Sequence, residues 1–144
     1  MGSAEPEQVA APLRSLLSRL DRSPVTLAPQ TGFRGGQGRD PVETMEVSQG
    51  KLCMGFTAGI TNRDPEFPAM QLLNTVLGAG MTSKLFLNLR ERMSLCYSVG
   101  SGYYGTKGIV TVSAGIDFEK EALARQEILR QVDICRSGDI TPRS

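Results

Sequence analysis

Arg90 and Tyr97 are the two side chains whose types and spacing point most directly to chemistry. Arginine offers a planar fork of donors, and tyrosine a hydroxyl on a rigid ring. Neither acts as a nucleophile here. Together they suit binding the carbonyls of an extended peptide and stabilising charge on one of them. A charge-assisted hydrogen bond is worth roughly 1.5–3 kcal/mol, and a donor aimed at a developing oxyanion about 10²–10³ in rate. The spacing alone leaves a plainer reading open: Arg90 pairs with a surface acid, and Tyr97 is a core aromatic with a satisfied hydroxyl.

The rest of the inventory narrows the chemistry. The chain has no histidine, so it lacks the commonest general base and the commonest metal ligand. A Ser-His-Asp or Cys-His mechanism cannot be completed within it, nor can an imidazole zinc site. Its three cysteines, Cys53, Cys96 and Cys135, are widely separated. They read as reduced cytosolic thiols and not as a disulfide framework. Cys96 is the one candidate nucleophile, and without an activating base it is a poor one.

Composition sets further bounds. The 144 residues fit one domain. Hydrophobic content of 40% and charged content of 22% are those of a globular protein. Sixteen Lys+Arg against fifteen Asp+Glu leave a net charge of +1, which is no nucleic-acid footprint. No apolar run reaches the roughly 18 residues of a membrane span, and the polar N-terminus is no secretory signal. The expectation is a cytoplasmic protein that binds neither nucleic acid nor membrane.

The elements that must position Arg90 and Tyr97 follow from periodicity. Residues 5–20 predict a helix, with Val9, Leu13, Leu16, Leu17 and Leu20 on one stripe. Residues 21–42, rich in Gly and Pro, predict a linker. The Gly35-Gly-Gln-Gly38 run within it lacks the Gly-Lys-Ser/Thr ending of a phosphate loop. Residues 45–60 predict a strand with Leu52, Met54, Phe56, Ala58 and Ile60 inward, and Cys53 as a partly buried thiol on the other face.

Asp64 and Pro65 are read as the start of a helix buried through Ala69, Leu72, Leu73 and Val76, with Gly78 as its stop. Thr82 or Ser83 caps a second helix, about 83–92, that carries Arg90, and Ser94 breaks it. Strands 95–104 and 109–116, joined by Gly105–Gly108, then form a hairpin. In the first of these, Leu95, Tyr97 and Val99 are expected to alternate with Cys96, Ser98 and Gly100. Residues 118–137 predict a long helix with Ala124, Ile128, Val132 and Cys135 inward, Glu127 and Gln131 on its wet side, and Gly138 as its end. Thr141-Pro142 reads as the start of another helix. The order α-linker-β-α-α-β-β-α predicts an α+β fold with a partly antiparallel sheet under helices. The division is 1–43, helix and linker, and 44–144, the domain proper.

The stretch Gly78-Ala-Gly-Met-Thr-Ser-Lys-Leu-Phe86, then Leu89-Arg-Glu-Arg-Met-Ser-Leu-Cys-Tyr97 and Gly108, resembles the second, non-zinc homologous domain of the insulinase/pitrilysin-type zinc peptidases, and within them the bacterial processing-peptidase-like proteins. Val47–Leu52 and Gly138–Thr141 extend the likeness to about residues 44–141. The resemblance implies two similar halves closing on a peptide. One half carries the inverted motif H-x-x-E-H. The other supplies an arginine and a tyrosine seven residues apart. By that resemblance Arg90 binds a backbone carbonyl of an extended peptide, and Tyr97 donates to the scissile carbonyl oxygen. Zinc would belong to a partner domain or subunit, and this chain alone would be inactive and incomplete relative to the full family domain. The competing reading is a structural or assembly module that keeps the fold without handling peptide.

Overall fold

The computed structural model describes residues 3–20 and 37–140. The chain separates into two compact units, Met1–Gln30 and Thr31–Ser144. In the first, helix α1 spans Pro6–Ser18, with a proline in its first turn where the missing N–H costs nothing. Its apolar stripe is formed as expected, and Val9, Leu13, Leu16, Leu17 and Leu20 are all exposed. Most of the predicted linker, residues 21–36, lies outside the described residues, as does the Thr141-Pro142 signal.

The second unit is an α+β layer. Strands β1 (Gly50–Thr57), β2 (Cys96–Tyr104) and β3 (Ile109–Ile116) form an antiparallel sheet in the order β1-β3-β2. Helix α2 (Phe67–Gly78), a short helix of wide turns (Phe86–Arg92) and helix α3 (Glu121–Arg136) make up the helical layer. Register sets the inner face of the sheet. Leu52 pairs with Ala114, Met54 with Val112 and Phe56 with Val110. These meet Leu77, Leu85, Leu89, Ala124 and Ile128 in one core, in which each large aliphatic side chain contributes roughly 1.5–3 kcal/mol when fully buried.

The outer face is small and polar. Lys51, Cys53, Gly55 and Thr57 on β1, and Ser113 on β3, point that way. Cys53 is exposed and not partly buried as expected, because it lies on this uncovered face with its Sγ 3.8 Å from Ser113 Oγ.

Several boundaries move for identifiable reasons. β1 is shorter than the predicted 45–60 strand. Ala58 and Gly59 instead donate to the carbonyl of Gly108 in the hairpin. α2 starts at Phe67 and not beside Asp64, whose carboxylate accepts from the backbone N–H and hydroxyl of Thr61 at 2.6 and 2.8 Å and so caps a preceding turn. The α2 inward stripe is Met70, Leu73 and Leu77, whereas Leu72 is 67% exposed and Ala69 faces water. Gly78 is the last helical residue and not a left-handed stop. A Cβ there would lie 2.7 Å from the backbone nitrogen of Ser101, so this glycine is what lets α2 close onto β2.

On α3, Glu127 and Gln131 are buried and not on the wet side. Glu127 accepts from Arg130 Nε and Nη2 at 2.9 Å and from Gln131 Nε2 at 2.7 Å. Burial pushes the Glu127 carboxyl upward. Hydrogen bonds from Arg130 and Gln131, with the charges of Arg130 and Arg92, outweigh it and hold the group below the usual carboxylate range.

Candidate site around Arg90 and Tyr97

The segment that carries Arg90 begins at Ser83, whose hydroxyl accepts from the backbone N–H of Phe86 at 3.4 Å and donates to the Gly80 carbonyl. Leu85 and Leu89 are fully buried and pin one side of the segment to the core. Its turns are wider than those of an α-helix, a rare geometry that is frequent at functional sites. Met93 N–H bonds the carbonyl of Asn88, five residues back, at 3.0 Å. Asn88 is buried; its amide donates to the Lys84 carbonyl at 2.9 Å, and its Oδ1 accepts from Arg92 at 2.9 Å.

Arg90 points out of this frame. Its side chain is 47% exposed, and its guanidinium carbon sits 4.9 Å from the centre of the Phe86 ring. Its contact with Glu91 is a loose 3.9 Å. The guanidinium thus lies over the Phe86 ring in a cation–π contact, and its contact with an acid is the loose one to Glu91.

The chain then turns at Ser94, a non-glycine residue at φ 51°. Leu95 N–H returns to the Leu89 carbonyl at 2.7 Å. Lys120 braces the same turn by donating to the Ser94 carbonyl at 3.2 Å while pairing with Asp117 at 2.8 Å.

β2 opens with an irregularity that decides the site. Cys96 pairs with Ile116, but Ser98 and not Tyr97 takes Gly115 in register. Tyr97 is the extra residue of a β-bulge, a device that re-aims side chains. The expected alternation therefore fails. Cys96 and Val99 both face inward, whereas Tyr97, Ser98 and Gly100 face outward. Tyr97 is 46% exposed, with its ring over Gly115. Among the described residues its hydroxyl has no hydrogen-bond partner.

Cys96 is buried, and burial pushes its thiol up against the opposing effect of the Arg90 charge, so it is no activated nucleophile. Beyond Tyr97, a shallow depression of about 360 Å³ is bordered by the outer-face residues Ser98, Gly100, Gly102, Tyr104, Thr111 and Ser113. A second depression touches Gln71, Asn74 and Tyr103. Arg90 and Tyr97 line neither.

The structure thus brings Arg90 and Tyr97 to either side of one braced turn, both outside the core. The bulge was missed in the sequence, although it left a trace. From Cys96 the inward positions run Cys96, Val99, Ser101, Tyr103, a step of three and then steps of two.

A zinc ion does not fit this chain's own donors. It has no histidine, and among the described residues no three His, Cys, Asp or Glu side chains stand together as a metal-holding group. Among the same residues no helix is long and apolar enough to cross a membrane.

Comparison with known proteins agrees with this architecture. The family model described as "Peptidase M16 inactive domain" matches residues 1–143. A protein of Bacillus subtilis (strain 168) named "Probable inactive metalloprotease YmfF" is 34% identical over 105 residues, 73% of this chain and 25% of its own length. An "Uncharacterized zinc protease" of Rickettsia bellii is 26% identical over 133 residues, 91% of this chain and 32% of its own. The crystal structure of a conserved protein from Enterococcus faecalis V583 superposes with a TM-score of 0.70 at 27% identity, covering 91% of this chain and 32% of that one. The chain therefore spans only about a quarter to a third of these relatives. By sequence and by fold, the chain belongs to the Peptidase M16 inactive-domain family, a zinc-protease-like family.

Proposed function

We propose that this domain grips an extended peptide backbone and assists its cleavage by a zinc-bearing homologous domain or subunit. Arg90 holds a carbonyl next to the cleavage point, and Tyr97 donates its hydroxyl to the scissile carbonyl oxygen. Residues 44–144 carry this role, and residues 1–43 lead into it.

The observation that carries the reading is the bulge at Tyr97. It takes a large aromatic out of the core and leaves its hydroxyl without a partner. An aromatic placed only for packing would keep to the inner face and find a hydrogen bond there. Arg90 supports the same reading, because its half-exposed guanidinium rests over the Phe86 ring with only a loose 3.9 Å contact to Glu91. The small outer-face residues beyond Tyr97 leave room for a backbone to lie close to the sheet.

In such an arrangement polarisation of the carbonyl would come from a zinc ion held by the other body. The residues of this chain bind, orient and donate. The guanidinium and phenol are fixed before the peptide arrives, so little reorganisation is needed as charge develops.

The test combines the chain with its zinc-bearing partner domain and follows cleavage of an internally quenched fluorogenic peptide of about ten residues. Arg90→Ala is expected to weaken peptide affinity by about tenfold or more, the loss of one charge-assisted hydrogen bond. Unchanged affinity, with partner binding intact, would favour an assembly module without peptide handling.

A further inference from the structure

We infer that Gly115 is a positioning residue for Tyr97: the absence of a side chain on the neighbouring strand is the seat in which the phenol ring rests. This rests on the peptide-gripping role proposed for Tyr97 and names the residue that fixes its geometry.

Three observations meet at this point. A Cβ built on Gly115 would collide with the Tyr97 ring, and the three nearest atoms are all at the phenol end: Cζ, Cε2 and the hydroxyl oxygen. No backbone atom outside its chain neighbours stands nearer, so the ring is what a side chain at 115 would meet first. Second, Gly115 is not among the glycines at positive φ, which are Gly59, Gly80, Gly108 and Gly138. Its backbone is ordinary central strand, compatible with any L residue. The need for glycine is therefore spatial and not conformational. A central-strand glycine otherwise costs stability through entropy and lost packing, a cost that calls for a compensating reason.

Third, the bulge and the glycine face each other. Tyr97 and Ser98 together oppose Gly115, two residues against one. The bulge turns the tyrosine outward, and the vacancy receives its ring. Either alone would leave the phenol unplaced. With alanine on the inner face at 114 and isoleucine at 116, Gly115 is the one position of that strand end where the ring can settle.

The consequence is specific. In Gly115→Ala the far end of a flexible side chain gives way, and the sheet does not. The hydroxyl swings off its place by about the width of a methyl group. A misplacement of that size near reacting atoms can cost up to about 10² in rate.

The experiment uses Gly115→Ala, Tyr97→Phe and the double variant, each combined with the zinc-bearing partner domain and assayed on the same quenched peptide. Tyrosine ring resonances by NMR and thermal melts run in parallel. Gly115→Ala is expected to shift the Tyr97 ring signals and leave those of Tyr103 in place. It should lower kcat by about tenfold or more with little change in KM. In the Tyr97→Phe background the same substitution should change kcat by less than about twofold, because the hydroxyl it displaces is gone.

Equal losses in both backgrounds, or an unchanged kcat in Gly115→Ala beside a reduced one in Tyr97→Phe, would overturn the inference. Should Gly115→Ala lower the melting temperature, adding Tyr97→Ala removes the obstructing ring and should restore it; a loss that persists would also overturn it. If Tyr97→Phe itself leaves kcat unchanged, the peptide-gripping role fails and Gly115 loses its function with it. The ring shift separates that failure from one of geometry.

Discussion

Two tyrosines on one strand lead opposite lives. Tyr103 faces inward, packs 5.8 Å from the Phe67 ring, and donates its hydroxyl to the Ile60 carbonyl at 2.7 Å. Burial, with the nearby Asp64 charge, pushes its phenol up. Tyr97, six residues earlier, faces outward over Gly115 with its hydroxyl unbonded among the described residues. A single extra residue in β2 separates the two fates. One tyrosine closes the junction between strand, helix and loop, and the other presents an unbonded hydroxyl outside the core, where we propose that it meets the peptide. Register and the fate of the hydroxyl, and not residue type, separate Tyr97 from Tyr103.

The comparison can be broken most forcefully from beneath. Leu89 is fully buried on the inner side of the helix that carries Arg90. Leu89→Ala is expected to cost about 2–5 kcal/mol by denaturant unfolding. A cost near zero would mean that this helix is not anchored as described, and that the Arg90 side of the site is not preformed.

A smaller effect comes from the buried carboxylate behind it. The folded Glu127 carboxyl is held below its usual range. Its stabilising contribution is complete above the unfolded value of about 4.3 and is lost as pH falls through the folded value. Glu127→Gln should therefore lower stability at neutral pH by roughly 1–2 kcal/mol, discounted because Arg130 is half exposed. It should also flatten the loss of stability below about pH 4. An unchanged acid slope would contradict the assigned pairing.

The smallest effect sharpens the comparison directly. Tyr103→Phe should cost about 1 kcal/mol of stability, because the Ile60 carbonyl loses its donor. It should leave peptide cleavage by the combined domains alone.

Much of this architecture was legible in the residues, for reasons that also explain what was not. Alternation in Leu52, Met54 and Phe56 and in Val110, Val112 and Ala114 marks strands whose inner faces are those the period-two pattern gives, although their pairing with each other was not legible. Gly138 ends α3 at φ 82° as a helix-stop glycine does. Ser94 breaks the segment between Arg90 and Tyr97.

The errors come from specific side-chain partners that a polarity or punctuation pattern does not reveal. Glu127 and Gln131 read as wet because they are polar, yet Arg130 and Gln131 itself satisfy the carboxylate inside. Gly78 read as a stop, yet the approach of Ser101 explains it. Asp64 read as the cap of α2, yet Thr61 is its partner. At the site, the types and spacing of Arg90 and Tyr97 were visible. The bulge was hidden, because a period-two template slides over one inserted residue unless the positions after it are counted.

The most direct measurement sets Tyr97→Phe beside Tyr103→Phe, in thermal unfolding and in peptide cleavage with the zinc-bearing partner domain. The account predicts a crossed result. Tyr97→Phe melts like the parent and loses about 10²-fold in kcat, whereas Tyr103→Phe loses stability and keeps its rate. A Tyr97→Phe variant that cleaves at the parental rate would contradict it.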